Sequence, residues 1–597
     1  MADSSDNQPG FFVRLKQHHL YGVAVVYAVV AGFLIQLASR ALPAFGWGVA
    51  FPAVIIILGA GFPIVVALAW TLVKPKDPTK YTRWQKLHWK LNASVSVLVV
   101  AAAAVSGVFA LHLDQRHEAR LIAEQAAAPP AAAAPVFNPP EDTLVVLPFT
   151  NLDNDPKQQY FSDGITEELT NALGQNAALT VIAWDTASHY RNSSETPTVI
   201  GKALNVANLV HGSIEREGGQ VRVIAELVNT RTGAQIWSSH YDDTLANIFQ
   251  VQDKISAAIA QALQVKFASL GTAPTVNPQA HDLVLQARAL MDKAHTAAPF
   301  EQARTLYQQA IALDQDYADA HSGLARAWND LTQFSTLPLK DALPKLREEA
   351  NKALALDPHN VNALIELANA DVAEGKTAEA RAGYQRALAI DPSNANAHLD
   401  YGNVLPLKQA LAQDLEAVQL DPDDATAQNN LAIYELDLGK YAQALAPLQA
   451  LVRLDPHSAD SAFALALTYS LLHRNQDAVK AFDLTEPNTG LAKALAAAGL
   501  LSYQSLLDPK LHVQALAAVE ALGRRADLDP ASMYDVIQLE LALGQNPTAL
   551  EQLPKFCASF PVACSDISIS PVWLPLRGDP RFRQLVQKYD TVSKPQQ

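Results

Sequence analysis

The sequence predicts a multidomain membrane protein: three transmembrane α-helices, then a mixed α/β domain, then an all-α solenoid of helical repeats. Three observations carry this prediction. Apolar residues make up 49% of the 597-residue chain, yet their longest runs crowd before residue 115. Short β-rich and helical segments then follow in the order β-α-β-α-β-β-β-α, which implies a mixed sheet with helices packed on it. Finally, Pro358, Pro392, Pro422 and Pro456 each follow an Asp, at steps of 34, 30 and 34 residues. A chain of this length exceeds a single core, so separate domains are expected.

The apolar runs cover about 21–38, 47–73 and 93–113. At about 1.5 Å per residue each can cross a hydrocarbon layer of about 30 Å. A cleaved signal peptide is the rival for the first run; two more spans follow it, and it lacks a clear small-x-small cleavage site. Basic residues set the orientation. Segment 1–20 carries Arg14 and Lys16, the first hairpin only Arg40, and the 74–90 loop Lys74, Lys76, Lys80, Arg83, Lys86 and Lys90. Lys and Arg stay on the cytoplasmic side, so the N-terminus and this loop are expected inside, and everything after about 114 outside the cytoplasm. Trp84 and Trp89 among those bases fit anchoring beside anionic inner-membrane lipid better than nucleic-acid binding.

The formal net charge of −15 divides unevenly: +6 over residues 1–92 and therefore −21 over the rest. An acidic exported part argues against gripping nucleic acid and leaves a weak preference for basic partners. Segment 114–142 is a linker, almost wholly Ala and Pro from Ala126 to Pro140. It reads as a semi-stiff spacer or as an unstructured junction without mechanical purpose. Cys557 and Cys564 are the only cysteines, seven residues apart. An oxidising compartment would let this candidate pair join, but spacing alone does not set the Cα separation a disulfide needs. No His lies between or close to them, which disfavours metal ligation.

The α/β domain is placed at 143–270. Strands are expected at Leu144–Phe149, Leu179–Trp184, Leu209–Ser213, Gln220–Asn229 and Ala234–Tyr241, with hairpin turns at Glu217-Gly218-Gly219 and Asn229–Gly233. Helices are expected at Gly164–Leu173, with Ser162 or Thr166 as cap, at Val199–Leu204 and at Ile248–Leu270. The stretches VVLPF (Val145–Phe149), YFSDGITEELTNAL (Tyr160–Leu173) and VHGSIEREGGQVRVIAELVNTRTGAQIWSSHYD (Val210–Asp242) resemble the TolB-like N-terminal domain. That family commonly stands just before tetratricopeptide repeats, and the pair often trails a class III nucleotide cyclase or a winged-helix domain. Here membrane runs and linker occupy the space before 143, so the resemblance implies fold and a bacterial inner-membrane, periplasmic setting. It carries no catalytic residues across.

The residues themselves offer no catalytic constellation either. Ser162, Asp163, Glu167 and Glu168 cluster near a helix start, where capping and the helix dipole account for them. A Ser-His-Asp reading would need His189, His211 or His240 beside Ser162, yet no G-x-S-x-G elbow accompanies it. Neither a phosphate loop, a dinucleotide fingerprint nor HExxH occurs. The expectation is a non-enzyme without catalytic residues, cofactor or metal.

The Asp-Pro steps give the tetratricopeptide period. Ala380, Tyr384 and Ala387 precede Pro392 by 12, 8 and 5 residues, and Ala444, Leu448 and Leu451 precede Pro456 identically. Gly375 and Gly439 stand 17 before their prolines, where two helices must turn. The repeats are placed at 281–487, with a loop of about nine extra residues around Thr332–Leu343 and a helix truncated by Pro406. Degenerate repeats and a cap, PVWLPLRGDPRFRQLV (Pro571–Val586), are placed at 488–597.

First-helix positions 2, 5 and 9 should face a concave groove. They are Asn362, Ile365 and Asn369, then Asn396, Leu399 and Asn403, then Thr426, Asn429 and Ile433. Asn carries donor and acceptor, so such a row could hydrogen-bond an extended peptide; the plainer reading is that Asn tolerates a solvated groove. The expected function is an inner-membrane-anchored periplasmic scaffold that binds a protein or peptide partner. The alternatives are a transmembrane receptor related to the tails of nucleotide cyclases, and an enzyme.

Overall fold

The computed structural model of the chain describes residues 137–589 apart from Asn154, 266–275, Lys293, 562–563 and 565–566. The three spans expected within 21–113, the 74–90 loop and most of the linker lie outside the described residues. Among the described residues no helix is long and apolar enough to cross a membrane.

The α/β domain is a mixed sheet of β1 (Thr143–Val146), β2 (Thr150–Asn151), β3 (Thr180–Val181), β4 (Asn208–Glu217), β5 (Gln220–Asn229) and β6 (Gln235–Thr244). Their spatial order is β3-β1-β4-β5-β6, with β2 beside β4. β1 runs parallel to both neighbours, pairing Leu144 with Val181 and with Asn208. Parallel pairs need crossovers, supplied by α1 (Gln159–Gly174) and by α2 (Trp184–Ser188) with α3 (Pro197–Ala203). From β4 to β6 the chain is an antiparallel meander whose hairpins turn at Gly218 and Gly233, both with positive φ. All four β1 side chains are buried, as a strand covered on both faces requires. Leu144, Val146, Val210 and Val223 pack under α1 and α4 (Ile248–Ala262), while Val145 and Leu209 pack against Ile200 of α3.

Several expected boundaries move: β1 ends at Val146 and not Phe149, β4 runs on to Glu217, α4 ends at Ala262 short of the expected Leu270, and two further shifts bear on the packing. The first helix begins at Gln159, so Ser162 and Thr166 are buried interior residues and cap nothing. The Thr166 hydroxyl donates to the Ser162 carbonyl and accepts from the Phe149 amide. The second strand stops at Val181, because the Ala183 amide donates instead to the Leu420 carbonyl in the repeats, 2.8 Å away, and Trp184 opens α2.

The repeats follow as paired helices: α5 (Pro278–Met291) and α6 (Ala297–Leu313), α7 (Ala318–Phe334) and α8 (Leu339–Leu356), α9 (Val361–Ala373) and α10 (Thr377–Ile390), α11 (Ala395–Gly402) and α12 (Leu407–Leu420), α13 (Ala425–Asp437) and α14 (Tyr441–Leu454). Further pairs are α15 (Ala459–Leu471) and α16 (Asn475–Ala481), α17 (Gly490–Leu507) and α18 (His512–Gly523), α19 (Pro530–Ala542) and α20 (Asn546–Ser559), before α21 (Pro580–Tyr589). Each Asp-Pro turn ends one helix and caps the next. Two residues past the proline, Asn360, Asn394, Asp424 and Ser458 accept a backbone N–H from the following first turn, a contact worth about 1 kcal/mol. Gly375 and Gly439 turn at φ 74° and 71°, in the left-handed region glycine favours. Ala380, Tyr384 and Ala387 are buried, and Gly383 lets α10 approach Ala368 so closely that a Cβ would stand 2.9 Å from it.

The short helix before Pro406 is present as α11, eight residues long. The expected loop near 332–343 is not: the extra residues lengthen α7 to 17 and α8 to 18 residues, leaving only Ser335–Pro338 between them. The added turns stay in use, since Lys345 lies 4.2 Å from the Trp328 ring centre. At the far end, Cys557 and Cys564 form a disulfide with a Cα separation of 5.6 Å. It is buried with Ile537, Trp573, Leu576 and Phe582, which tie α19, α20 and α21 into one terminal cluster.

Candidate binding groove

The α/β domain and the repeats share packing. Leu285 of α5 belongs to the core beneath the sheet, and it approaches Gly164 so closely that a Cβ there would lie 2.6 Å from Leu285 Cδ2. Around this contact, Glu168 of α1 accepts from Gln252 at 2.7 Å and Arg288 at 3.2 Å, and meets His281 Nε2 at 3.0 Å. Burial pushes the Glu168 carboxyl up, but the charge and hydrogen bond of His281, with Arg288, outweigh it and hold the group down at about 2. Nearby, Asp282 of α5 accepts from the Tyr160 hydroxyl at 2.8 Å and from Arg216 at 2.7 Å.

A second set of contacts sits on the Asp-Pro turns. Ser393 accepts from the Val181 amide at 3.1 Å and donates to the Leu179 carbonyl. The Thr186 hydroxyl donates to Asp421 and accepts from the Asp423 amide, while His189 lies 3.1 Å from Asp423. Burial pushes Asp391 and Asp421 up to about 6 each. The α/β domain is thus fastened to α5 at one end and to the turns after α10 and α12 at the other.

Between these fastenings lies a cavity of about 160 Å³ lined by α1, α2 and α5, with Asp163, Glu167, Asp185 and Asp292 on its wall. Arg191 pairs with Asp163. Burial drives Glu167 upward against the pull of Arg288, and Asp292 and Asp185 are raised the same way. Arg326 of α7 stands within electrostatic reach of all three and pairs with Asp330 at 3.7 Å, its side chain half exposed. From Arg326 the acidic row continues along the first helices through Asp330, Glu366 of α9 and Asp400 of α11. Burial, reinforced by Asp330, pushes Glu366 up to about 8; burial, reinforced by Asp424, pushes Asp400 up to about 6.

The residues expected in the groove divide. Asn362, Asn396, Thr426, Asn429 and Ile433 are exposed. Ile365 and Leu399, at position 5 of their repeats, are buried at 7% and 8% exposure: both side chains pack in the solenoid core and are corrected to core residues, while Asn429 at the same position of the next repeat is exposed. Asn369 is half-buried and occupied internally, accepting from the Tyr384 hydroxyl and lowering the nearby Glu366 and Asp400 carboxyls. Asn403 is the C-cap of α11 and accepts from Asn430 at 3.2 Å. Glu366 and Asp400 were missed although a signal existed: they stand 34 residues apart at one repeat position. The proposed capping role of Asp163, Glu167 and Glu168 fails because all three lie inside α1 and face the repeats. Ser162 is buried, His211 lies 3.6 Å from Glu226, and His240 sits opposite Ile224 on the sheet.

Family models described as "TPR repeat" match residues 300–327 and 368–405, and models described as "Tetratricopeptide repeat" match 407–459 and 429–492. Among curated proteins, the chain is similar to "Putative adenylate cyclase 3" of Rhizobium meliloti (strain 1021), 31% identical over 209 residues. That match spans 34% of this chain and only about a third, 35%, of the relative's length. Among solved structures, YrrB, described as a TPR protein with an unusual peptide-binding site, is 24% identical over 30% of this chain and 89% of its own, with a TM-score of 0.24. PilF of Pseudomonas aeruginosa is 23% identical over 37% of this chain and 96% of its own, with a TM-score of 0.29. The chain carries tetratricopeptide repeats within residues 300–492.

Proposed function

We propose that this chain is a non-enzymatic scaffold, anchored in a bacterial inner membrane by the apolar runs at 21–113, whose repeats hold a protein or peptide partner on the periplasmic side. The observation that carries this reading is the inner row of the first repeats. Exposed Asn362 and Asn396 recur at the same first-helix position, each four residues before a carboxyl, Glu366 or Asp400, that lacks an ion-pair partner among the described residues, and exposed Asn429 stands on the next first helix, one turn further along. A polar surface repeated along successive helices suits an extended ligand, because each repeat offers the same contact one step further on. The α/β domain, which we read as TolB-like from its sequence words and mixed sheet, holds the first repeats fixed through Glu168 and Asp282. A buried disulfide at Cys557 and Cys564 suits an oxidising compartment.

The test is co-purification from detergent-solubilised membranes after in vivo crosslinking, using wild type and a variant with Asn362, Asn396 and Asn429 changed to Ala. Loss of a reproducible partner from the variant is expected. Undiminished recovery of the same partner would overturn the groove reading. A second reading, a receptor that signals across the membrane, draws on the relative named as an adenylate cyclase. It requires an intracellular cyclic-nucleotide change when residues 143–597 are removed.

A further inference from the structure

Three acids on successive inner helices share the field of one arginine. Asp330 of α7, Glu366 of α9 and Asp400 of α11 lie within electrostatic reach of one another or of Arg326, and among the described residues only Asp330 pairs with it, at 3.7 Å. One positive charge therefore faces three carboxyls. Glu366 is 6% exposed, and its Oε2 accepts no hydrogen bond among the described residues. A buried carboxyl oxygen without a donor is costly, and most such atoms in folded proteins find one. Asn369 stands close enough to lower both the Glu366 and Asp400 carboxyls and is itself oriented by the Tyr384 hydroxyl. The cluster is thus built, held in place, and short of positive charge.

We propose that this cluster is a cation subsite, and that its occupant is a lysine or arginine side chain of an extended segment of the partner. This rests on the groove reading above and deepens it. An incoming ammonium or guanidinium would pair with half-buried Asp400 and come within electrostatic reach of Glu366, adding the positive charge that Arg326 alone does not supply. A metal ion is the weaker occupant, because no group of three or more His, Cys, Asp or Glu is placed to hold one among the described residues. The flanking Asn362 and Asn396, exposed one turn before Glu366 and Asp400, offer donors and acceptors for the segment's backbone. The acidic balance of the chain beyond residue 92 acts in the same direction.

Binding should also tighten with pH. Glu366 faces Asp330 and Arg326 on α7, Asp400 on α11 and Tyr384 on α10. Burial and its acidic neighbours keep this carboxyl protonated near neutrality, so a cation must displace a proton to form the pair.

The experiment is a fluorescence-anisotropy titration of the detergent-solubilised full chain with labelled hexalysine, in 150 mM salt at pH 6.5 and 8.5. Glu366→Gln and Asp400→Asn should each weaken binding at least fivefold. Glu520→Gln with Asp527→Asn, remote on exposed surface, should change it less than twofold. Wild type should bind more tightly at the higher pH and Glu366→Gln should lose that dependence, a readout that mere loss of fold would not give. No binding, or equal weakening by the remote pair, would overturn the subsite. Displacement by spermidine as effective as by unlabelled hexalysine would overturn the peptide occupant. If hexalysine fails while the triple Asn variant still loses its partner, the cation subsite falls and the groove reading stands.

Discussion

The two ends of the solenoid are held together differently. From α5 to α13 the inner face carries carboxylates, and the α/β domain is fastened to it by Glu168, Asp282 and the Asp-Pro turns. From α14 to α21 the interior is mainly apolar, running from Leu448 through Phe463 and Phe482 to Leu539 and closing on a disulfide and Trp573, with buried Asp535 and Glu540 of α19 as carboxyls within it. The second end relies mainly on apolar burial. The first keeps charge where an apolar residue would pack more stably, which is the pattern expected of a surface retained for recognition.

The sharpest way to break this contrast is at Glu168. Its removal leaves Arg288 and His281 buried without their anion, and breaking such a set costs about 3–5 kcal/mol. Glu168→Ala should release the α/β domain, seen as a separate early transition in calorimetry. The contrast fails if the whole unit still melts in one step at the original temperature.

The far end should respond to redox instead. Cys557→Ser removes a crosslink closing a short loop, a loss of about 2–3 kcal/mol by chain entropy. Urea unfolding should show the loss confined to the late repeats, with the α/β domain unaffected.

Asp414 sharpens the comparison in the opposite direction. It is fully buried at the packing of α12 on α11, neither oxygen has a partner among the described residues, and burial raises it to about 7. Since its folded value exceeds the unfolded value of about 3.9, its contribution is fully present below about pH 4 and is lost as pH rises through about 7. Asp414→Asn should therefore gain on the order of 2 kcal/mol at pH 8 and nothing at pH 4. Equal melting shifts at both pH values would contradict this. The smallest effect belongs to Gly375→Ala, about 1 kcal/mol from its positive φ, read as a modest drop in melting temperature.

Much of the architecture was legible because its causes are local. Proline stops a helix, Asn360 or Asp424 caps the next, and Gly375 turns between two, so spacing alone reports the repeats. The two hairpins of the meander were readable for the same reason, since alternation and the Gly218 and Gly233 turns act within a few residues, whereas β2 and the order of strands across the sheet were not. What stayed hidden is nonlocal. Glu168 meets His281 and Arg288 across 113 and 120 residues, and nothing near Glu168 announces them. The strand at Val181 ends early for the same kind of reason, a bond to Leu420. Residue insertion was misjudged on physical grounds too: α7 and α8 absorbed it as helical turns, since Ala342 and Leu346 bury against the same core. The groove was half-read. Position 5 was assigned to the surface, where Ile365 and Leu399 in fact bury, and the acidic position shared by Glu366 and Asp400 was passed over.

The most direct test of the groove is site-specific photocrosslinking in living cells, with a benzophenone side chain placed at Asn396 in one strain and at Glu520 in another. The account predicts an adduct to a single protein from Asn396, competed by a basic peptide added after permeabilisation, and none from Glu520. The same adduct from Glu520, with none from Asn396, would contradict it.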